Sequence, residues 1–559
     1  MTQTPRKLFA KACSMAALSF GLMLAGGCRG EIGGNGPSRL GPGTVAGGSG
    51  GSGPAVQSLT CNAPTAPVLH GRLLAPSQYN NSVLDWVKVG DDESKDFGGA
   101  VDAQLDDVAV ELRANAAADV AGKAIAALAQ WTPCPSAQAA DAACEGMIID
   151  RLGPQAYRHP LSAAESGDLQ ELFDAGVKEK DFTTGLEWFL AGLFQSPDFL
   201  YVFTKPGSGE KAGDVVALSA YEVASRLAYF IWDSPPDDTL YAAAATNQLG
   251  DANAVRAQAT RLIGDPRFTR GLSRFYGSWL HTSGFTEVAR DDPAFTSDLV
   301  TALQTSLLMS ATQLYATGGS ANIAGLFSGQ TYYLNGTLRT FYGLPGSTTD
   351  AAFTATTITG EDRIGIVTHP GLTALMARPN ETNPIARGLF VRRTLLCKDV
   401  PPPPAGVTIP QLSPVSQTAS TRDRLDQHAS NAFCAACHGM IDPPGYALEN
   451  FDEVGRHRTM DGGKPVDTSG MMVAAGDVSG PFATGAELLG KLAQSNDVRG
   501  CFAQNYFEFA TSQPATAADQ CSLDTLKKSF TPAGELRALV ATIAASDSFR
   551  LRQSEGGAP

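Results

Sequence analysis

One pentapeptide in this sequence has the residue types and spacing for a defined chemistry: Cys434-Ala435-Ala436-Cys437-His438. Two thiols three positions apart fall on one helical turn, where each can form a thioether with a vinyl group of the same haem. The adjacent imidazole of His438 then binds the iron under the ring. Cys434, Cys437 and His438 are therefore the candidate attachment site for a covalent haem c. Two other chemistries use this spacing. A Cys-x-x-Cys pair carries out thiol–disulfide exchange when a βαβ unit presents it, and no such pattern surrounds this one. It is also half of a zinc site, for which His428 and His457 would supply the missing ligands.

The second axial position of the iron has candidates downstream. Met471 and Met472 lie in a glycine-bearing loop between Gly470 and Gly476 and join His438 as candidate metal ligands; Met460 and His457 are alternatives, and Met440 is too close in sequence to reach round the ring. With no side chain there, the iron would be open to peroxide or oxygen chemistry. The carboxylates Asp442, Glu449, Asp452 and Glu453 cluster near the motif; they could tune a haem's potential or bind a cation, but a solvated helix face is the better reading. His159 and His369, each before a proline, read as structural, and His281 as packing or capping an aromatic helix.

Such a site needs elements to hold it. Residues 421–433 are polar, proline-free and amphipathic, which predicts a helix leading into the motif. Asp442-Pro443-Pro444-Gly445 predicts a turn away from it, with Tyr446, Ala447, Leu448 and Phe451 available to cover the haem. Elsewhere the 3.6-residue period dominates. Leu186, Phe189, Leu190 and Leu193 share one helix face, and Ser219 caps a helix that Ser234-Pro235-Pro236 stops. Residues 252–283, 295–317 and 484–552 repeat the pattern. Only 353–372, rich in Thr, Ile and Val, suggests a short strand. Pro401 to Pro404 form a stiff boundary.

Six further cysteines form an even set that suggests disulfides. Cys134 and Cys144 flank a short loop, and Cys501 and Cys521 bracket another, which leaves Cys61 with Cys397 by elimination.

The N-terminus reads as an export signal. Arg6, Lys7 and Lys11 precede an apolar stretch from Cys13 to Ala25, too short to span a bilayer comfortably. Leu24-Ala25-Gly26-Gly27-Cys28 is similar to a lipobox, with Cys28 as the lipidated residue; ordinary signal-peptidase cleavage is the alternative. Residues 29–60 include eleven glycines, a flexible tether between a lipid anchor and a folded body. The formal net charge of -14 disfavours nucleic acid as a partner. No P-loop or His-Glu-x-x-His is present, and the Gly-x-Ser-x-Gly at Gly47 to Gly51 lies in the glycine-rich tether rather than at an elbow, so hydrolase and nucleotide-enzyme readings have no support.

The motifs also form an ordered set. Arg363-Ile364-Gly365, Asn383-Pro384, Arg387-Gly388, Leu395-Leu396-Cys397 and the proline run lead into the haem motif, then Asp442-Pro443, Gly445, Ala447-Leu448-Glu449-Asn450-Phe451-Asp452 and Gly455. This resembles the exported multi-module proteins of planctomycetes and myxobacteria built from domains of unknown function (the 1587, 1595, 1592, 1588 and 1585 series). Gln78-Tyr79-Asn80-Asn81 resembles the first module, though Leu74-Ala75-Pro76 departs from its usual start. Tyr157 to Leu161 and Ser196 to Phe199 resemble the second, Leu218 to Asp238 and Tyr333 to Pro345 the third, and Glu487 to Arg552 the last. The resemblance implies a cytochrome-associated protein and names no substrate. Many members carry a further cytochrome module; this sequence has no second Cys-x-x-Cys-His.

The sequence therefore predicts a mainly α fold of several helical modules in tandem, with a cytochrome-c-like haem-binding segment near the C-terminal third. The expected order is 1–27 lipoprotein signal, 28–60 linker, 61–210 N-terminal helical modules, 211–350 central helical module, 351–480 haem-binding module and 481–559 C-terminal helical module. The expected function is single-haem electron transfer in a protein lipid-anchored in the periplasm, outer membrane or cell surface. Its partner would be a redox protein or a small-molecule substrate. The alternatives are a peroxidase-like haem enzyme with an open iron, and a haem-free surface lipoprotein whose Cys434 and Cys437 form a disulfide.

Overall fold

A computed structural model of the protein describes residues 61, 64–90, 93–94, 97, 105–134, 142–204, 209–316, 322–400, 415, 418–430, 432–530 and 535–555. The expectations for 1–27, Cys28, 28–60 and Pro401 to Pro404, and for the His428 side chain, lie outside these. The described residues are mainly α-helical, with five two-stranded ladders. None of their helices is long and apolar enough to cross a membrane. They divide into two compact units, one of residues 69–209 and 234–237, the other of 60–68, 210–233 and 238–559.

In the first unit, α1 (Pro76–Val87), α2 (Asp107–Ala126), α3 (Ala142–Tyr157), α4 (Ala163–Glu179) and α5 (Phe182–Gln195) surround a core that includes Leu186, Phe189, Leu190 and Leu193, all fully buried. Helices α4 and α5 form a close hairpin. A Cβ on Gly176 would lie 2.7 Å from the Gly185 Cα, so only glycine lets the backbones approach so nearly. The unit begins and ends in one antiparallel ladder, β1 (Arg72–Leu73) with β2 (Tyr201–Val202). Cys134 pairs with Cys144, as their spacing predicts.

In the second unit, Ser219 and Glu222 form the capping box that starts α6 (Ala220–Ile231). Then follow α7 (Ala252–Ile263), α8 (Phe268–Trp279) and α9 (Ser297–Ala316). The Thr-rich stretch supplies one strand, β5 (Thr354–Thr357), paired with β4 (Thr331–Leu334), while β3 (Val215–Ala217) pairs with the late strand Leu551–Gln553. Two short helices, α10 (Pro370–Leu375) and α11 (Pro384–Leu389), precede a π-helical turn, Phe390–Leu395. The motif region holds α12 (Thr421–Ala429) and α13 (Ala432–Tyr446), and the unit closes with α14 (Gly485–Gln494), α15 (Asn496–Thr511), α16 (Gln520–Ser529) and α17 (Leu536–Ala545). Its aromatic centre joins α8 to α15, with Phe275 and Tyr506 ring centroids 4.1 Å apart and Phe502 and Phe509 beside them.

Two disulfide expectations are corrected. Cys61 pairs with Cys521 and Cys397 with Cys501, with Cα separations of 5.7 and 5.4 Å. Nearness in sequence misleads because Cys501, on α15, meets the residue that follows the π-helical turn. The segment around Cys61 runs instead beside the last strand, where Val68 bridges Gln553, and so reaches α16.

The prolines Pro443 and Pro444 do not end the motif helix, as their sequence suggests. The polar helix stops at Ala429, a new one starts at Ala432, and α13 runs through both prolines to Tyr446. Each proline removes one intrahelical N–H bond. The carbonyls that these bonds would have used belong to Gly439, which is exposed, and Met440, which is half-buried.

Candidate cofactor-attachment site

Helix α13 carries the three motif side chains on one face. Cys434, Cys437, His438, Ile441 and Gly445 follow the i, i+3, i+4, i+7, i+11 spacing. The C-terminal half of that face is closed by α11. A Cβ on Gly388 would collide with the Ile441 carbonyl oxygen, and one on Gly445 with the Pro384 carbonyl oxygen, so the two helices meet backbone to backbone and run antiparallel. The N-terminal half lies beyond this contact. Cys434, Cys437 and His438 are half-buried there, while Ala435, Ala436 and Gly439 are exposed. Cys434 and Cys437 belong to no disulfide, unlike the other six described cysteines.

The His438 ring is held from behind. Its Nδ1 lies 3.0 and 2.9 Å from the two carboxylate oxygens of Asp442, one turn further along α13. An ionised carboxylate only accepts, so Nδ1 carries the proton and donates it, and Nε2 keeps the lone pair a metal needs. The bond to Asp442 raises the His438 pKa above its ordinary value, against the lowering effect of burial. Asp442 is 3% exposed, and among the described residues His438 is its hydrogen-bond partner. The nearby Tyr446 hydroxyl donates instead to Asp426, at 3.0 Å, and Arg422 lies over the Tyr446 ring.

Asp442 and Glu449 therefore do not form a solvated face, because both are buried and bonded. Fully buried Arg387 donates to Glu449 Oε1 at 2.7 Å and to the carbonyls of Leu448, Phe451 and Asp452. Arg458 and Thr382 donate to the other Glu449 oxygen, at 2.7 and 2.6 Å. Buried Arg363 reaches the Gly455 carbonyl, and its guanidinium covers the Phe451 ring. The half-buried Asp452 carboxylate accepts the N–H groups of Val454 and Arg456, and burial raises its pKa. Arg290 holds the Glu453 carbonyl. Tyr446, Ala447, Leu448 and Phe451 are core residues of this network, locked under Arg387 and Arg363 rather than lying loosely over a cofactor.

The candidate methionines lie apart from this face. The hairpin β6 (Gly470–Met472) and β7 (Gly480–Phe482) sends successive side chains to opposite sides, leaving Met471 48% exposed and Met472 buried. Its Gly470 meets Pro443, which at ~100° per residue is about 140° round α13 from His438. The structure thus groups Cys434, Cys437 and His438 and does not group Met471 or Met472 with them. Met460 is exposed, and the His457 ring lies against Phe451. The residue that sequence reasoning missed is Arg392. It is buried in the π-helical turn and donates to the carbonyls of Val473 and Ala474, fixing the chain beyond Met472. Its only sequence signal is an arginine inside an apolar run.

The other histidines have ordinary partners. His369 is fully buried, with Nδ1 accepting from the Gly371 N–H and Nε2 3.0 Å from the Ser306 hydroxyl. His281 sits exposed in the left-handed position after α8. His159 lies 3.6 Å from Glu165, whose other oxygen caps α4; with Asp198 these three are close enough to share an ion. A polar cavity of about 350 Å³ is lined by Glu381, Arg424, Arg458 and Asp461 among others, and by none of the motif residues.

Four family models match in tandem, each described as a protein of unknown function: DUF1595 over residues 144–203, DUF1592 over 218–344, DUF1588 over 363–461 and DUF1585 over 480–549. The chain belongs to the multi-module family that these domains define. The thiols, His438, Asp442 and the Arg363 and Arg387 networks all lie within its DUF1588 module. No curated protein and no solved structure matches the chain.

Proposed function

We propose that this member of the family is a c-type haem protein that transfers electrons through a single haem attached at Cys434 and Cys437. One observation carries the reading: two thiols outside any disulfide share a half-exposed helix face with an imidazole whose Nδ1 is already bonded. Cys434 and Cys437 would hold the haem through two thioethers, each thiol adding across a vinyl C=C bond so that sulfur joins one carbon and the proton the other, with no net oxidation. His438 would offer Nε2 to the iron, and its bond to Asp442 would keep the ring from turning. The bound haem would supply the one-electron ferric/ferrous couple. The donor set fits this group better than zinc, because no Cys/His/Asp/Glu group converges on the two thiols among the described residues. Three disulfides suit an oxidising compartment, in line with an exported protein lipidated at Cys28. Its partner would be a redox protein or a small molecule.

The second reading is a haem enzyme with an open iron site, favoured by the placement of Met471 and Met472 away from the His438 face. Carbon monoxide separates the two, because it binds reduced iron only at an open or weakly held position.

The deciding experiment is a pyridine haemochrome spectrum of the full chain, produced in a host with cytochrome c maturation machinery and extracted with acid–acetone. Haem should stay with the polypeptide, Cys437→Ala should leave a single thioether, and His438→Ala should lose the parent spectrum. A colourless protein whose intact mass shows Cys434 and Cys437 oxidised to a disulfide would leave the haem-free lipoprotein reading.

A further inference from the structure

We propose that Asp442 is a positioning residue that favours the ferric state of the iron, making the protein a low-potential electron carrier. This rests on the haem reading above. Both Asp442 oxygens lie within 3.0 Å of His438 Nδ1, so the bond holds whichever oxygen accepts. A carboxylate acceptor on one imidazole nitrogen makes the other a stronger donor. Charge acts in the same direction. A ferric haem core carries one more positive charge than a ferrous one, and Asp442 sets a buried negative charge one imidazole away.

The surroundings leave that charge in place. Asp442 is 3% exposed, so water screens it poorly. The cation near this end of α13, Arg422, lies over the Tyr446 ring and bonds the Asp467 and Ser469 carbonyls. The spacing is built into the helix, since His438 and Asp442 are four residues apart on α13, and the α11 contact at Ile441 and Gly445 fixes that stretch. A buried carboxylate with a histidine as its one described partner is costly unless it serves something, and an electron-rich axial ligand is what it would serve here.

The test compares the haem-loaded full chain with Asp442→Asn and Asp442→Glu by redox titration, counting haem per chain in each. Asn keeps the size and an acceptor oxygen but removes the charge. It should move the ferric/ferrous equilibrium tenfold to a hundredfold toward ferrous, a rise of about 59 to 118 mV at ~59 mV per tenfold for one electron. Glu restores the charge and should return most of the shift. Full haem with an unchanged midpoint in Asp442→Asn overturns the proposal and leaves the haem reading standing. A wild-type chain without haem overturns the haem reading itself. Should Asp442→Asn fail to load, proton NMR of the wild-type ferric protein decides. The His438 ring N–H should exchange slowly, as a donor buried against a carboxylate; free exchange with water would overturn the proposal.

Discussion

At the scale of single residues, the grouping of Cys434, Cys437 and His438 was legible because its three side chains are neighbours in the chain. Asp442 was legible only as one of four carboxylates near the motif; its bond to His438, four positions away, was not. Reading Pro443 and Pro444 as a helix stop removed the one-turn register that brings Asp442 under His438. The buried arginines were legible as parts of motifs but not as the clamps they form, because their partners are mostly carbonyls, which leave no trace in residue type. His369 gives a test at this scale. Burial and, secondarily, Arg363 hold its pKa down at about 3, against an ordinary 6.5. Below pH 6.5 the unfolded chain gains a proton that the folded one refuses, so stability should fall as the pH drops from 6.5 toward 3. This one group is worth about 2 kcal/mol between pH 7 and pH 5, at ~1.4 kcal/mol per pKa unit. In urea titrations at both pH values, His369→Asn should lower stability at pH 7 yet flatten the slope by that amount; an unchanged slope would mean the ring is protonated in the fold.

At the scale of elements, the helical content and a few helix limits followed from apolar spacing and caps, as with Ser219 and Glu222. What periodicity cannot show is which helices touch. The α11 and α13 contact depends on Gly388 and Gly445, whose missing side chains say nothing about their partners. Gly388→Ala should push α11 from α13 and destabilise the second unit by about 1–3 kcal/mol or more. The decisive comparison is with Gly439→Ala, on α13, where an added Cβ meets nothing within 4 Å. If the two variants unfold at the same urea concentration, the helices are not in backbone contact.

At the scale of the whole molecule, the tandem order of modules was readable from motifs, whereas the long-range disulfides were not. Pairing by proximity works for Cys134 and Cys144 and fails for partners 104 and 460 residues apart. Cys61→Ala should cost the second unit roughly 2–5 kcal/mol and free the 61–68 segment to proteases. Limited proteolysis read by intact mass checks this, and a segment still protected would mean the Val68 and Gln553 bridge suffices.

The 460-residue bridge also sets an order of events during synthesis. Cys61 is made first of the six bridge-forming cysteines, and Cys521 last. At ~5–20 residues per second the wait lasts some tens of seconds or more. During it, Cys61 shares the nascent chain with every other thiol, and Cys134 and Cys144 are the first it meets. Cys434 and Cys437 emerge while Cys397 still lacks Cys501. An oxidant acting in order of appearance would therefore join the wrong sulfurs. The native set calls for an agent that reshuffles early pairs and leaves Cys434 and Cys437 outside them.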